Sequence, residues 1–327
     1  MWPQRAAVIG CGLIGKRRAE ALAPIVHSVE IYDLQPERAH AIAGGIRCAV
    51  THPSAHAALE AAGPGGLAVI ATTHDGLAPT ALMAIDAGCH VLIEKPGARG
   101  PAELDAVLSA AQSAGVIVRV GYNHRFHPAV LEAHRLLQAG DLGCVLLVRG
   151  RYGHGGRPGY EREWRATPSM SGGGELLDQG VHLLDLTRFL TGDIALRYGA
   201  VSTRYWEMPV EDNAFVHVEL AGGGDGWLHA SWTEWKNLFS LEITCRSVKL
   251  ELTGLGGSYG PERLSVFRMP DEMGPPLITT TEWPPGDASW RLELEDVFAA
   301  ISGQGGVGAT GADASALLRV VERIYAP

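Results

Sequence analysis

Apolar positions in the first third of the chain fall in short continuous runs, separated by longer stretches with helical spacing. AAVIG (6–10), SVEIYD (28–33), LAVIAT (67–72) and HVLIEK (90–95) read as strands. LIGKRRAEALAP, PERAHAIAGG and APTALMAIDAGC read as helices, the second opening on Pro36 and closing on glycine, as helices prefer. PAELDAVLSAAQSAG (101–115) predicts another helix and VIVRVGYN a further strand. Strands that are apolar throughout, rather than at alternate positions, are buried on both faces. The pattern therefore predicts a parallel sheet covered by helices on both sides.

The pattern changes after about residue 122. HPAVLEAHRLLQAG (127–140) predicts a helix and CVLLVRGRYG a strand. The 153–174 stretch, rich in Gly, Arg and aromatics, reads as a loop. GGGELLDQGVHLLDLTRFL (172–190) reads as an apolar helix that carries Asp178, His182 and Asp185 among its leucines. From 194 to 268 ALRYGAVSTRYWEM, NAFVHVELA, GWLHASWTEW, FSLEITC and VKLELTG follow one another across short Gly-rich turns, as in an antiparallel sheet. Two helices are expected near 289–302 and 312–325.

The 327 residues exceed one ordinary core and suit two α/β domains, with the division expected at 1–122 and 123–327 and a hinge near Gly121–Asn123. Apolar residues make up 46% and charged residues 19%, a soluble globular balance. The net charge of −9, with no local run of Lys and Arg, argues against nucleic acid or an anionic membrane as partner. The first residues lack the basic-then-apolar pattern of a signal peptide, and no run approaches the roughly 20 apolar residues of a membrane span. The five cysteines are scattered and form no CxxC. They read as reduced cytoplasmic thiols rather than a disulfide frame or zinc site.

Residues 10–15 spell GCGLIG, a G-x-G-x-x-G between a strand and a helix. Gly10 allows a tight turn, Gly12 lets the backbone approach a pyrophosphate, and Gly15 lets helix and strand pack closely. The helix N-terminus then offers free N–H groups and a positive dipole end to phosphates. An acid, Asp33, ends the next strand roughly 20 residues later, where it accepts bonds from ribose hydroxyls and repels a 2′-phosphate. Leu34 adds no cation, so NAD is expected over NADP in a Rossmann domain.

EKP at 94–96 follows the strand at 90–95, and ligands of open parallel sheets lie beyond such strand ends, so Lys95 is expected at the cofactor cleft. Asp178, His182 and Asp185 share one helix face. Ordinary helical ion pairs do so as well. An apolar helix that keeps ionisable groups on one stripe aims them into a cleft or pairs them fully. DQGVH lacks the second histidine of a zinc-binding helix, so no metal is expected. Arg157, Tyr160, Arg162, Trp164 and Arg165 are types that stack on a sugar ring or bind an anion, and a solvated loop accounts for them equally.

GCGLIG, Asp33, EKP, GYNHRF (121–126) and GGGELLDQGVHLLD (172–185), in this order, resemble the glucose–fructose oxidoreductase / inositol dehydrogenase / MocA family over essentially the whole chain. The resemblance implies a Rossmann domain followed by an α/β domain with a large, mostly antiparallel open sheet. It also implies homodimers or homotetramers formed through that sheet's exposed face. The chemistry implied is NAD(P)-dependent interconversion of a secondary alcohol and a ketone on a sugar, cyclitol or nucleotide-linked sugar. By motif position, Lys95, Asp178 and His182 resemble the family's catalytic trio. His182 would be the general base, Asp178 the group that orients substrate and tunes the imidazole, and Lys95 the donor to the reacting oxygen. The three glycines would let the backbone pass close to the ligand. Gly10, Gly12, Leu13, Ile14, Gly15, Asp33, Thr72, Thr73, His74, Glu94 and Lys95 are the implied cofactor contacts. Lys95, Asn123, Arg125, Arg157, Tyr160, Trp164, Asp178 and His182 are the implied substrate contacts. One stretch departs from the family pattern: ATTHDGLAP (71–79) stands where T-P-N-x-x-H is common, in the loop beside the nicotinamide ribose. GLGGSYGPERL (254–264) with EMGPP (272–276) resembles a subset associated with bacterial surface polysaccharides. Two other functions stay open: a catalytically inactive NAD(P)-binding regulator, and a non-redox enzyme of this fold, such as a glycosidase that uses tightly held NAD.

Overall fold

The computed structural model describes residues 2–272 and 274–326. It forms two compact units. The first contains the chain through Asn123, Ser169–Gly172 and Trp290–Arg319. The second contains His124–Pro168, Gly173–Ser289 and the chain from Val320 onward. Met273, in the EMGPP stretch, lies outside the described residues.

The chain opens with β1 (Arg5–Ile9), α1 (Leu13–Leu22), β2 (Ser28–Tyr32), α2 (Pro36–Ala43), β3 (Ala49–Thr51), α3 (Ala55–Ala62), β4 (Leu67–Ile70), α4 (His74–Asp86), β5 (His90–Glu94), α5 (Pro101–Ala114) and β6 (Val118–Gly121). The six strands are parallel, in the order β3-β2-β1-β4-β5-β6. This is a doubly wound sheet whose strand order reverses between β1 and β4, the place where such sheets bind dinucleotides. The apolar pattern does not expose β3 and α3. β3 has only three residues, none fully buried, so no apolar run marks it. α3 is signalled locally by Ser54, whose hydroxyl accepts from the Ala57 N–H at 3.1 Å. α4 begins at His74, four residues before the expected start, so six of the nine residues 71–79 are helix, with Leu77 fully buried.

The chain continues with α6 (Pro128–Gln138), β7 (Val145–Gly153), the short α7 (Pro168–Ser171), α8 (Val181–Thr191), β8 (Ile194–Ser202), β9 (Asn213–Leu220), β10 (Asp225–Ser231), β11 (Leu238–Cys245), β12 (Val248–Thr253), β13 (Arg263–Arg268), β14 (Leu277–Glu282), α9 (Ser289–Ile301) and α10 (Gly311–Tyr325). The eight strands are ordered β14-β13-β12-β11-β7-β10-β9-β8, and every pair is antiparallel except β7 with β10. β11 alternates half-buried and buried positions along its whole length, the signature of a sheet covered on one side. The 153–174 stretch is not an open loop: it holds two 3-10 turns, Tyr160–Arg162 and Trp164–Ala166, before α7. The expected 172–190 helix is composite, a π-helical turn over Leu176–Gly180 leading into α8.

Residues 290–319, which the pattern assigns to the second domain, pack in the first unit. Leu294, Val297 and Phe298 of α9 lie on one helical face and join Val8, Ile31, Leu67, Val69 and Leu92 in one core. Chain order alone does not show that a late helix completes an early core.

Candidate active site

The first unit presents a dinucleotide crevice at the carboxyl ends of β1, β2 and β4. Gly10 has φ +96°, and a Cβ there would lie 2.5 Å from the Ala71 carbonyl oxygen of the loop after β4. A Cβ on Gly15 would collide with the Gly10 carbonyl oxygen. Gly12 is the N-cap of α1, has no side-chain cap, and faces open space where its Cβ would be. The first N–H groups of α1 therefore point toward a ligand position, with the positive end of the helix dipole behind them. Asp33 fixes this turn: its carboxylate accepts from Cys11 N at 2.6 Å and Gln35 N at 2.8 Å. Burial and the Asp33 carboxylate push the Cys11 thiol up to about 12, while Arg38 acts in the opposite sense. A cation thus lies within electrostatic reach of the Asp33 end, a feature that Leu34, fully solvated at 89% exposure, does not reveal. Leu13 is exposed and Ile14 half-buried at the start of α1.

Of the remaining expected cofactor contacts, Thr72 and Thr73 lie between β4 and α4, with the Thr73 hydroxyl donating to Asp75 at 2.6 Å. His74 is buried, and its Nδ1 lies 2.8 Å from the Ser171 carbonyl oxygen. Lys95 is half-buried just past β5, and the peptide bond to Pro96 is cis. Glu94 is engaged by the protein itself. Its Oε1 accepts from Nε of the fully buried Arg18 at 2.6 Å, and Arg18 Nη1 lies 2.6 Å from Glu293 Oε2. The Trp290 ring covers the guanidinium at 4.6 Å. One cation thus serves two buried carboxylates, and burial pushes Glu293 up to about 7 despite the opposing pull of Arg18.

In the second unit the π-helical turn carries Asp178, and the first turn of α8 carries His182; both are buried. π-turns recur at functional sites because the extra residue re-aims the side chains around it. Glu211 braces the entry to this turn. It accepts from Gly174 N and Leu176 N at 3.0 Å each, and from the Tyr325 hydroxyl at 2.7 Å. A Cβ on Gly173 would collide with the Tyr325 hydroxyl, and one on Gly174 with the Glu211 carbonyl oxygen. These two glycines, expected to admit a ligand, are required instead by close protein packing.

The three ionisable groups on this segment diverge in their partners. Asp178 Oδ2 accepts from Arg165 Nε at 3.0 Å. His182 stacks on His124, with ring centroids 3.8 Å apart and planes 17° from parallel. Asp185 is 1% exposed and takes a fork from Arg125, Nη2 at 2.5 Å and Nε at 2.9 Å. Arg125 is buried as well and lies over the Phe189 ring. Expected on substrate, its guanidinium is occupied in a buried bidentate pair, the geometry Arg favours for a planar carboxylate. Tyr160 is likewise buried, packed edge-on against Trp232 at 5.0 Å, and Arg157 pairs with Glu163 at 2.5 Å. Trp164 is half-buried beneath the Arg165 guanidinium, and Asn123 is buried at the start of a 3-10 turn, Asn123–Phe126. Pattern reading missed Tyr152 and Tyr259. Burial raises both phenols, and the Asp178 charge adds to the effect. Tyr152 occupies an inward position of β7, a signal that becomes legible only once the sheet's buried face is known.

Residues 4–122 match the oxidoreductase family with an NAD-binding Rossmann fold, and residues 130–258 match the GFO/IDH/MocA C-terminal domain. The chain belongs to the GFO/IDH/MocA oxidoreductase family. It is 31% identical to levoglucosan dehydrogenase of Pseudarthrobacter phenanthrenivorans over 159 residues, 48% of this chain and 41% of that protein. It is 27% identical to D-glucoside 3-dehydrogenase of Escherichia coli over 250 residues, 70% of each chain. The first of these alignments spans less than half of the relative. The solved structure of levoglucosan dehydrogenase in complex with NADH and L-sorbose superposes with a TM-score of 0.86 at 22% identity, covering 99% of this chain and 96% of that one. That likeness shows the fold.

The GFO/IDH/MocA N-terminal unit has the features NAD requires. The uncapped helix start at Gly12 suits the pyrophosphate, and the open space beside it is the approach that a side chain would close. Asp33, already oriented by two backbone N–H groups, suits a ribose diol. Among the described residues no group of three or more His, Cys, Asp or Glu converges to hold a metal ion, and no helix is long and apolar enough to cross a membrane.

Proposed function

We propose that this GFO/IDH/MocA member is an NAD-dependent oxidoreductase that interconverts a secondary alcohol and a ketone on a sugar, cyclitol or nucleotide-linked sugar. When bound, NAD supplies the hydride acceptor for the carbinol carbon. Gly10, Gly12, Gly15 and Asp33 hold it. His182 takes the hydroxyl proton at an imidazole nitrogen. Asp178, kept in place by Arg165, orients a neighbouring hydroxyl. Lys95 donates to the carbinol oxygen and stabilises its alkoxide character. The carrying observation is the buried π-turn segment. It places an acid and an imidazole one turn apart in an apolar helix, and each is fixed by a separate side chain. The sugar-directed names of the relatives support the substrate class.

The test is formation of reduced nicotinamide from NAD and NADP against cyclitols, free aldoses and nucleotide-linked sugars. Turnover with one group is expected. Silence across the panel, with NADH binding intact, overturns the reading and favours the inactive regulator or the non-redox enzyme. Lys95→Ala should leave NADH affinity within several-fold while turnover falls about 100-fold or more; retained turnover would remove Lys95 from the mechanism.

Self-association through the outer face of the eight-stranded sheet belongs to the same proposal. Tyr198, Phe215 and Trp227 are about half or more exposed on that face, and His229 and His217 stack on Phe215 and Trp227. A homodimer or homotetramer covering these rings is expected by light scattering, and Trp227→Glu should dissociate it. The five cysteines are free thiols, which suits the reducing cytoplasm in which we place the protein.

A further inference from the structure

Beneath His182 lies a set of aromatic side chains that the proposed chemistry does not use. His124 stacks on His182 almost face to face. The Nε2 of His124 lies 2.9 Å from the Tyr152 hydroxyl. The Tyr259 ring packs against Tyr152 in turn, with ring centroids 5.4 Å apart and planes at 56°, and the two phenols influence each other's ionisation. The rings of Tyr152 and His182 lie 6.0 Å apart, edge to face. His124 is 8% exposed, Tyr152 5% and His182 3%, so this chain runs inward from Tyr259, which is half-buried on a turn between β12 and β13.

We infer that His124, Tyr152 and Tyr259 are positioning residues that fix the plane of the His182 imidazole and keep the ring beside it uncharged. The inference rests on the reading of His182 as the base. Two cofacial imidazoles at 3.8 Å cannot both be cationic without strong repulsion, so His182 accepts a proton only while His124 stays neutral. A phenol bonded to His124 satisfies one ring nitrogen without supplying an anion. The neighbouring His127 is treated differently: its Nδ1 lies 3.0 Å from the Glu262 carboxylate. That pair lies edge-on to His124 at 5.5 Å between ring centroids. The charged and titratable groups about the stack are thus His127 with Glu262, Asp178 with Arg165, Glu175, and the two tyrosines.

The turn that carries Tyr259 is built to hold it still. Glu262, three residues on, accepts from Ala129 N at 2.6 Å and from His127, tying the segment to the start of α6. Gly254 has φ +72°, and a Cβ there would collide with the Pro261 carbonyl oxygen, so the turn closes on itself. This gives GLGGSYGPERL a role: it delivers a hydroxyl to the far end of the brace.

The test uses Tyr152→Phe and Tyr259→Phe in the full chain, with Tyr259→Phe as the variant less exposed to folding failure because its ring is only half-buried. Two readouts are taken. The first is steady-state turnover on the best alcohol found for the wild-type protein. The second is the imidazole spectrum of isotope-labelled histidines, with the His182 signals assigned by their loss in His182→Asn. Each Phe variant should lower kcat about 10- to 100-fold with KM within about twofold, since a misplaced base of about 1 Å costs up to about 100-fold. Each should also move the His182 and His124 resonances while the His127 signals stay. Unmoved His182 resonances in both variants overturn the brace whether or not the protein turns over. Moved resonances support the brace even if no alcohol is oxidised, an outcome in which the proposed reaction alone fails. A change confined to KM also overturns it, because that would place Tyr259 on the substrate and not behind the base.

Discussion

Glu293→Gln is the sharpest probe of the buried charge cluster in the first unit. Arg18 is fully buried and faces two carboxylates, so with both ionised the cluster carries one uncompensated negative charge away from water. Burial is the largest cause that raises Glu293 from 4.5 to about 7. Each tenfold change in proton affinity is worth about 1.4 kcal/mol, so the displacement corresponds to about 3 kcal/mol. The folded-state value is raised. Its contribution is therefore complete below 4.5, where Glu293 is protonated in both states, and is lost as pH rises through about 7. Glutamine imitates the protonated side chain and does not titrate. The stability of the variant relative to wild type should therefore improve by about 2–3 kcal/mol between pH 5 and pH 8. Urea unfolding of the cofactor-free protein at the two pH values, followed by tryptophan fluorescence, measures it; Trp290 sits on the cluster. A difference that is constant within about 0.5 kcal/mol, or that moves against the variant at pH 8, would show that Glu293 stays ionised and that Arg18 suffices for both carboxylates.

Arg125→Ala should cost about 3–5 kcal/mol in thermal or denaturant unfolding, because it removes the bidentate cationic partner of a buried carboxylate. Unchanged melting with a raised KM would return Arg125 to the substrate. Gly15→Ala should destabilise the first unit by about 1–3 kcal/mol and weaken NADH binding, read by NADH fluorescence, because the new methyl group meets backbone and not a movable side chain. Asp33→Ala should narrow the NADH/NADPH affinity gap, since the repelling carboxylate is gone and Arg38 remains nearby. An unchanged gap would place cofactor choice on another residue.

The sequence determined a good deal here by local rules. GCGLIG, the apolar runs around it and Asp33 specify a strand, a glycine turn, a helix start and an acid at the next strand end. Each follows from backbone sterics and burial within a few residues. The alternation from 194 onward likewise announces an antiparallel sheet, because a one-sided burial pattern has period two. What tertiary structure decided is which polar groups are partners. Glu94, expected as a cofactor contact, is bound by Arg18, 76 positions away, and the same guanidinium also holds Glu293. Arg125, expected as a substrate ligand, has its guanidinium paired with Asp185, 60 residues on, a contact no local spacing announces. Tyr152 carries no motif and Tyr259 lies in GLGGSYGPERL without any sign of its partner; both gain meaning only from packing, Tyr152 against His124 and Tyr259 against Tyr152. Helix and strand periods are written in neighbouring residues. The pairing of buried charges and hydroxyls is set by long-range packing, which brings distant residues together and leaves no regular spacing in the chain.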